Sequence, residues 1–308
     1  MKKRITIIIL SLALAVVAVG MVVVVASVNG VVGHVGEPDK TAVVDQTLDV
    51  SGPPTFSLDE SNGTVTITRG AEGKVVVHAV KRATTDDLLN RPNVDIRQDG
   101  NRIVVQTTGE DDVSIHLFGG NRNLVDYTIQ LPPRADLVAT KIANGRLEVA
   151  GIMGPLDLAA SNGTITARDV DGAVKAQSTN GRVTVSGGRG ALDLGTSNGT
   201  ITVDGVQAQG LTLRSSNGRV AFTGSLAPGS RSSVDIGNGS IMMTLPPDSA
   251  LGVNLRSGNG SITVGFPVTT APGGENKRNS VQGVINRPDA DLNVHAGNGS
   301  ITLTRQGG

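Results

Sequence analysis

Residues 161–178, SNGTITARDVDGAVKAQS, are followed by 179–196, TNGRVTVSGGRGALDLGT, and 197–215, SNGTITVDGVQAQGLTLRS, and these are one pattern written three times. The preceding stretch, 143–160, ANGRLEVAGIMGPLDLAA, is a fourth copy. Working outward, Asn-Gly recurs at Asn144, Asn162, Asn180, Asn198, Asn217, Asn238 and Asn259, at spacings of 18, 18, 18, 19, 21 and 21 residues, with further copies at Asn62 and Asn298. A fixed period of this length is the signature of a repeat architecture, in which each unit buries its apolar face only against its neighbours.

Each unit holds two short strands. After Asn-Gly, the series Leu147, Ile165, Val183, Ile201, Val220, Ile241, Ile262, Ile301 makes one apolar column, and a second follows two residues on, from Val149 to Leu303. The other strand supplies Leu156, Val174, Leu192, Leu211, Val234, Val253, Leu292 and, two residues later, Leu158, Ala176, Leu194, Leu213, Ile236, Leu255, Val294. Alternation with period two puts all four columns on one face.

Two architectures fit. Asn-Gly is the strongest short hairpin signal, which allows an antiparallel β meander of Asn-Gly hairpins. The other is all-β in a different way: a single-stranded β-helix, or β-solenoid, of about 18–21 residues per rung, with like residues stacked in parallel and the asparagines at one corner. Recurrence of like residues at near-constant spacing favours the solenoid. So does the outward series Asp157, Lys175, Asp193, where neighbouring rungs alternate in sign. In both readings Asn162-Gly163, Asn180-Gly181, Asn198-Gly199 and Asn217-Gly218 are structural turns.

The SNGTITV-type repeats resemble the bacterial putative-adhesin family of β-strand-repeat envelope proteins, a domain of unknown function. The same resemblance is carried by FSLDESNGTVTITRG, KVVVHAVKRA, LLNRPNVDIRQDGNRIVVQT, the Leu-Pro-Pro turns at Leu131 and Leu245, and the final DADLNVHAGNGSITL. It covers about residues 50–308 and implies a single-stranded β-helix at the cell envelope. The family has no catalytic signature to carry over.

Lys2, Lys3 and Arg4 precede 24 uncharged residues, Ile5 to Val28. That length suits a membrane-spanning helix better than the shorter apolar region of a signal peptide. The organisation expected is a cytoplasmic tail at 1–4, a transmembrane anchor at 5–28, a tether at 29–50, and a β-strand-repeat domain at 51–308. Within that domain, 51–134 are irregular capping rungs and 135–308 regular rungs. By the positive-inside rule the domain is extracytoplasmic on a single-pass cell-membrane protein. A cleaved signal ending near Ala26-Ser27-Val28 would make it secreted instead.

Composition narrows the function. The 308 residues carry 27 basic and 27 acidic side chains, which removes the electrostatic reason for a nucleic-acid partner. With no tryptophan, one tyrosine and four phenylalanines, stacking platforms for bases and sugars are scarce. Absence of cysteine excludes disulfides, thiolate metal sites and a cysteine nucleophile.

Six of the Asn-Gly sites, Asn62, Asn162, Asn198, Asn238, Asn259 and Asn298, are also glycosylation sequons, but one turn rule accounts for all of them. Asp169, Asp171 and Asp204 lack the regular spacing of a calcium-binding repeat, and His34, His78, His116 and His295 lack ligand spacing. No catalytic residue, metal site or cofactor is expected, and the chain is read as not an enzyme. The leading function is a non-catalytic adhesion or binding module at the envelope, with a surface polymer or envelope protein as partner. The candidate site is the outward stripe Arg146, Arg182 and Arg219, interleaved with Thr164 and Thr200. An envelope-stress or signalling accessory is the alternative. A polysaccharide-active β-helix enzyme using Asp157 and Asp193 is the third.

Overall fold

The computed structural model describes residues 22–23, 40–109, 123–270 and 276–307. The expected anchor at 5–28 falls outside the described residues except for the backbone of β1 (Val22–Val23), which pairs antiparallel with Asp45 and Gln46. No helix among the described residues is long and apolar enough to cross a membrane.

The strands follow in chain order: β2 (Lys40–Asp49), β3 (Thr55–Arg69), β4 (Lys74–Ala83), β5 (Asn93–Asp99), β6 (Arg102–Thr108), β7 (Asn123–Leu131), β8 (Asp136–Ala150) and β9 (Leu156–Asp171). Then come β10 (Val174–Leu226), β11 (Arg231–Leu245), β12 (Leu251–Asn259), β13 (Ile262–Val264), β14 (Asn276–Lys277), β15 (Ser280–Ile285), β16 (Ala290–Asn298) and β17 (Ile301–Arg305). All belong to one hydrogen-bonded sheet. A short helix α1 (Asp86–Asn90), capped by Thr85 accepting from the Leu88 amide at 3.3 Å, packs Leu88 and Leu89 against Ala83.

The repeats pair in parallel and in register. Asn180 faces Asn162, Asn162 faces Asn144, Asn144 faces Asn62, and Asn217 faces Asn238. The hairpin meander is therefore overturned: Asn-Gly bends the chain rather than reversing it, inside a continuous strand from Asn62 to Asn238 and at the junctions of β12 with β13 and of β16 with β17. The apolar columns of the first strand stack as expected, with Val183, Ile201 and Val220 fully buried.

The second-strand columns need one correction. Ser232, not Val234, stands beside Leu211, and Val234 stands beside Leu213, so the β11 rung is shifted two residues from the expected alignment. The pair Val234 and Ile236 reads as a leucine pair by type, whereas the actual occupant of the leucine site is a serine only 2 % exposed. Rung β8 carries a bulge: between Leu137 and Thr140 the register on β9 shifts, with Ala139 at φ 49°.

The ends of the stack are built differently from its middle. The outer edge of β3 carries β6 and β7 in parallel, and these are covered by antiparallel β5 and β4, with β2 antiparallel on β4. At the other end β16 and β17 lie between β11 on one side and β12 and β13 on the other, parallel to both. The final repeat is thus inserted into the stack. The cover there is β15, antiparallel on β12, with the two-residue β14 antiparallel beyond it. Antiparallel covers stop further rungs from adding to the open edges of a parallel stack.

Two outcomes follow from this packing. A Cβ on Gly199 would overlap the carbonyl oxygen of Gly181 one rung away. Gly199→Val should therefore lower stability by on the order of 3 kcal/mol, as overpacking against fixed backbone does. Thr202→Val, on the outward side of the same strand, should change it by no more than about 0.5 kcal/mol. Thermal melts of the two variants check this, and equal shifts would refute a close backbone approach at Gly199. Removal of 290–308 should unprotect both β11 and β12 in hydrogen exchange, since β16 bonds to both. Loss of protection confined to one of them would contradict the insertion.

Candidate functional site

The corner where each rung bends is held by its asparagines. The Asn144 side-chain amide donates to the Asn62 oxygen at 3.0 Å, Asn162 to Asn144 at 3.1 Å, Asn180 to Asn162 at 3.0 Å, and Asn198 to Asn180 at 3.0 Å. The ladder continues with Asn217 to Asn198 at 3.1 Å, Asn238 to Asn217 at 3.0 Å, Asn298 to Asn238 at 2.8 Å and Asn259 to Asn298 at 2.8 Å. Its order in space places Asn298 before Asn259, as the inserted rung requires. Every sequon asparagine except Asn62 therefore has its amide nitrogen engaged as a donor.

Glycine follows asparagine for a steric reason. A Cβ at Gly163, Gly181, Gly199 or Gly218 would strike the carbonyl oxygen of the glycine one rung before it. Two residues before the asparagine, at a buried inward position, the hydroxyl of Ser178 donates to the Gly163 carbonyl at 3.4 Å, and that of Ser257 to the Gly299 carbonyl at 2.8 Å. Thr196 and Ser215 hold equivalent positions, each 6 % exposed, with hydroxyls that have no hydrogen-bond partner.

Beside the ladder lies an open groove of about 1130 Å³, lined by residues of seven rungs from Ser61 to Asn238. Its central lining is Ala159, Gln177 and Gly195 in one column and Ser161, Thr179 and Ser197 in the next. Charge is confined to the ends, with Asp59, Glu60 and Lys141 at one and Arg214 and Asp235 at the other. Glu60 is 1 % exposed; its carboxylate accepts from Thr107, whose hydroxyl lies 2.6 Å from that of Tyr127, and from the Asn62 amide at 3.2 Å. A buried carboxylate held by donors in this way anchors the first bend of the ladder. The groove was not legible as such: small outward residues preceding Asn-Gly read only as turn flanks.

On the far side of the ladder, Arg146 and Arg182 both register against Thr164, so these two members of the stripe share one column. Arg146 reaches Glu148 at 3.7 Å. Asp157 and Asp193 are engaged by neighbouring rungs: Lys175 meets Asp157 at 3.2 Å and Arg214 meets Asp193 at 3.4 Å. Asp171 accepts two hydrogen bonds from the Arg189 guanidinium, both 2.9 Å, and these hold its carboxyl below the usual range. Among the described residues no three His, Cys, Asp or Glu side chains are grouped to hold a metal ion.

Solved structures similar to this chain include a putative cell adhesion protein from Clostridium sporogenes, 12% identical over 87% of this chain and 100% of that one, with a TM-score of 0.31. A putative adhesin from Bacteroides fragilis is 11% identical over 85% and 96%, at 0.40. Another from Parabacteroides distasonis is 10% identical over 84% and 96%, at 0.41. No curated protein matches the chain. The profile of one family matches residues 55–304, nearly all of the stacked strands, and on that match the chain belongs to the Toastrack DUF4097 family.

Proposed function

We propose that this chain is a non-catalytic adhesion or binding module of the cell envelope, its rungs coiled as a β-solenoid along which an extended partner lies. The observation that carries the reading is the groove of about 1130 Å³ that follows the stacking axis past seven rungs. At about 4.8 Å per rung, six steps make it roughly 29 Å long, a shape for a polymer rather than for a small molecule. The ion pairs of Asp157 with Lys175 and Asp193 with Arg214 support a non-catalytic role, because they tie up the carboxylates a sugar-cleaving mechanism would use.

Export rests on the sequence: three basic residues before 24 uncharged ones. The retained anchor and the β1 pairing are alternatives for the same residues, since a helix in the bilayer takes Val22 and Val23 away from β2. The chain has no cysteine, so Gln209→Cys, at an exposed site, provides a single thiol. It should react with a membrane-impermeant maleimide on intact cells, and the protein should stay with membranes after a high-salt wash. Labelling only after lysis would reverse the orientation, and release into the medium would identify a cleaved signal.

The column shared by Arg146 and Arg182 favours a second binding face, which with Arg219 suits an anionic wall polymer. One retention assay on isolated cell walls separates the faces. Ser161→Arg with Ser197→Arg should block the groove and abolish retention. Replacing the three arginines by serine should leave most of it. The reverse result would move the site to the stripe, in which case high salt should mimic the mutation because exposed charge contacts are screened.

A further inference from the structure

We infer that the groove beside the asparagine ladder takes a linear, uncharged glycan, with one sugar ring seated per rung; the inference rests on the groove being the binding site. The first argument is charge. Across the central rungs the lining is Ala159, Gln177, Gly195, Ser161, Thr179 and Ser197, without a charged side chain, while each end carries both signs. A polyanion or polycation would gain nothing along the middle of this groove and would meet repulsion at one member of each end pair.

The second argument is hydrogen-bonding chemistry. Ser161, Thr179 and Ser197 present hydroxyls at successive rungs, and the Gln177 amide lies across Gly195, where a Cβ would meet it. Beneath them Thr196 and Ser215, which belong to the same lining, hold hydroxyls that no protein group satisfies. Their burial keeps them out of a ligand's reach, so recognition falls to the exposed hydroxyls of Ser161, Thr179 and Ser197. A peptide laid along a sheet is held by an unpaired strand edge, and these rungs have both edges paired to their neighbours. The hydroxyl-rich glycan is the polymer whose own groups match the lining.

The third argument is period. Rungs repeat at about 4.8 Å, and an extended chain of pyranoses linked across the ring advances by nearly the same step per residue. Each ring then meets the same column of hydroxyls as its neighbour. No aromatic side chain lines the groove, so each ring is held weakly and the affinity must accumulate along the chain.

Full-length protein in detergent micelles, titrated calorimetrically with neutral β-linked hexose oligomers of increasing length, tests this. Affinity should climb with each added ring and level off at about seven, the number of rungs that line the groove at one ring per spacing of about 4.8 Å. Ser161→Arg with Ser197→Arg should weaken the longest oligomer by at least about tenfold, with an unchanged melting temperature. Alanine at Ser161, Thr179 and Ser197, which keeps the groove open, should weaken it as well. Equal affinity for short and long oligomers, or undiminished binding by the blocked variant, would overturn the inference. If the blocked variant loses retention on cell walls while neutral oligomers do not bind, the groove stands as the site and the uncharged glycan falls. If wild-type protein is retained by neither, both readings fall.

Discussion

The stack depends on a contact that only glycine permits. At every bend after the first the α-carbon of one glycine faces the carbonyl oxygen of the glycine on the neighbouring rung, so closely that a methyl group has no room; at the first, Gly63 faces the Val125 carbonyl instead. This approach brings the adjoining asparagines within hydrogen-bonding distance, and the ladder of side-chain amides follows from it. All of these hydrogen bonds except the half-buried one from Asn144 to Asn62 are exposed, and each contributes about 1 kcal/mol or less. Its effect is on register: a strand slipped by one residue would break the ladder and place its apolar columns on the solvent side.

Parallel stacking leaves a problem at the ends, because every rung offers unpaired backbone groups to the next. The fold answers with antiparallel strands, β5 and β4 at one end and β15 at the other. Insertion of β16 and β17 between earlier strands has a further consequence. β11 and β12 are consecutive in sequence, but the edges that face each other across the inserted rung stay unpaired until residues 290–305 are in place. That end of the stack cannot be completed rung by rung in chain order, and pairings of this sequence separation are slow to form.

The strand pattern and the corner were legible because they rest on local rules: alternation with period two, and Asn-Gly at near-constant spacing. What escaped was set by neighbours in space. Glycine after asparagine reads as a residue chosen for its backbone freedom, yet Gly163 and Gly181 are required by the approach of another rung whatever their torsions. Ser232 was passed over because side-chain type pointed to Val234, and only the pairing with Leu211 identifies the serine as the core residue. The inserted rung was equally hidden, since Asn298 carries the same local signature as Asn259. The groove escaped because it is made by what small residues leave empty. The arginine stripe is legible in sequence because its members recur at one offset from Asn-Gly.

The variation in repeat length shows which corner the structure holds fixed. Where the spacing is 18, a second glycine column runs along the opposite corner, with a Cβ at Gly172 blocked by the Gly154 carbonyl and one at Gly190 by that of Gly172. When the spacing grows to 19 and then 21, that column ends: Ala208 and Gln209 stand where the next glycine would fall, and Ala227–Ser230 form a turn closed by the Ser230 amide on the Ala227 carbonyl at 3.1 Å. Extra residues are absorbed there without disturbing the ladder, which keeps its amide bonds between 2.8 and 3.1 Å through rungs of every length. Steric demand therefore concentrates at the asparagine corner and relaxes opposite to it. A groove flanking the rigid corner keeps a constant step from rung to rung, which a periodic polymer needs if successive units are to meet equivalent side chains. The corner that tolerates insertions cannot provide that step.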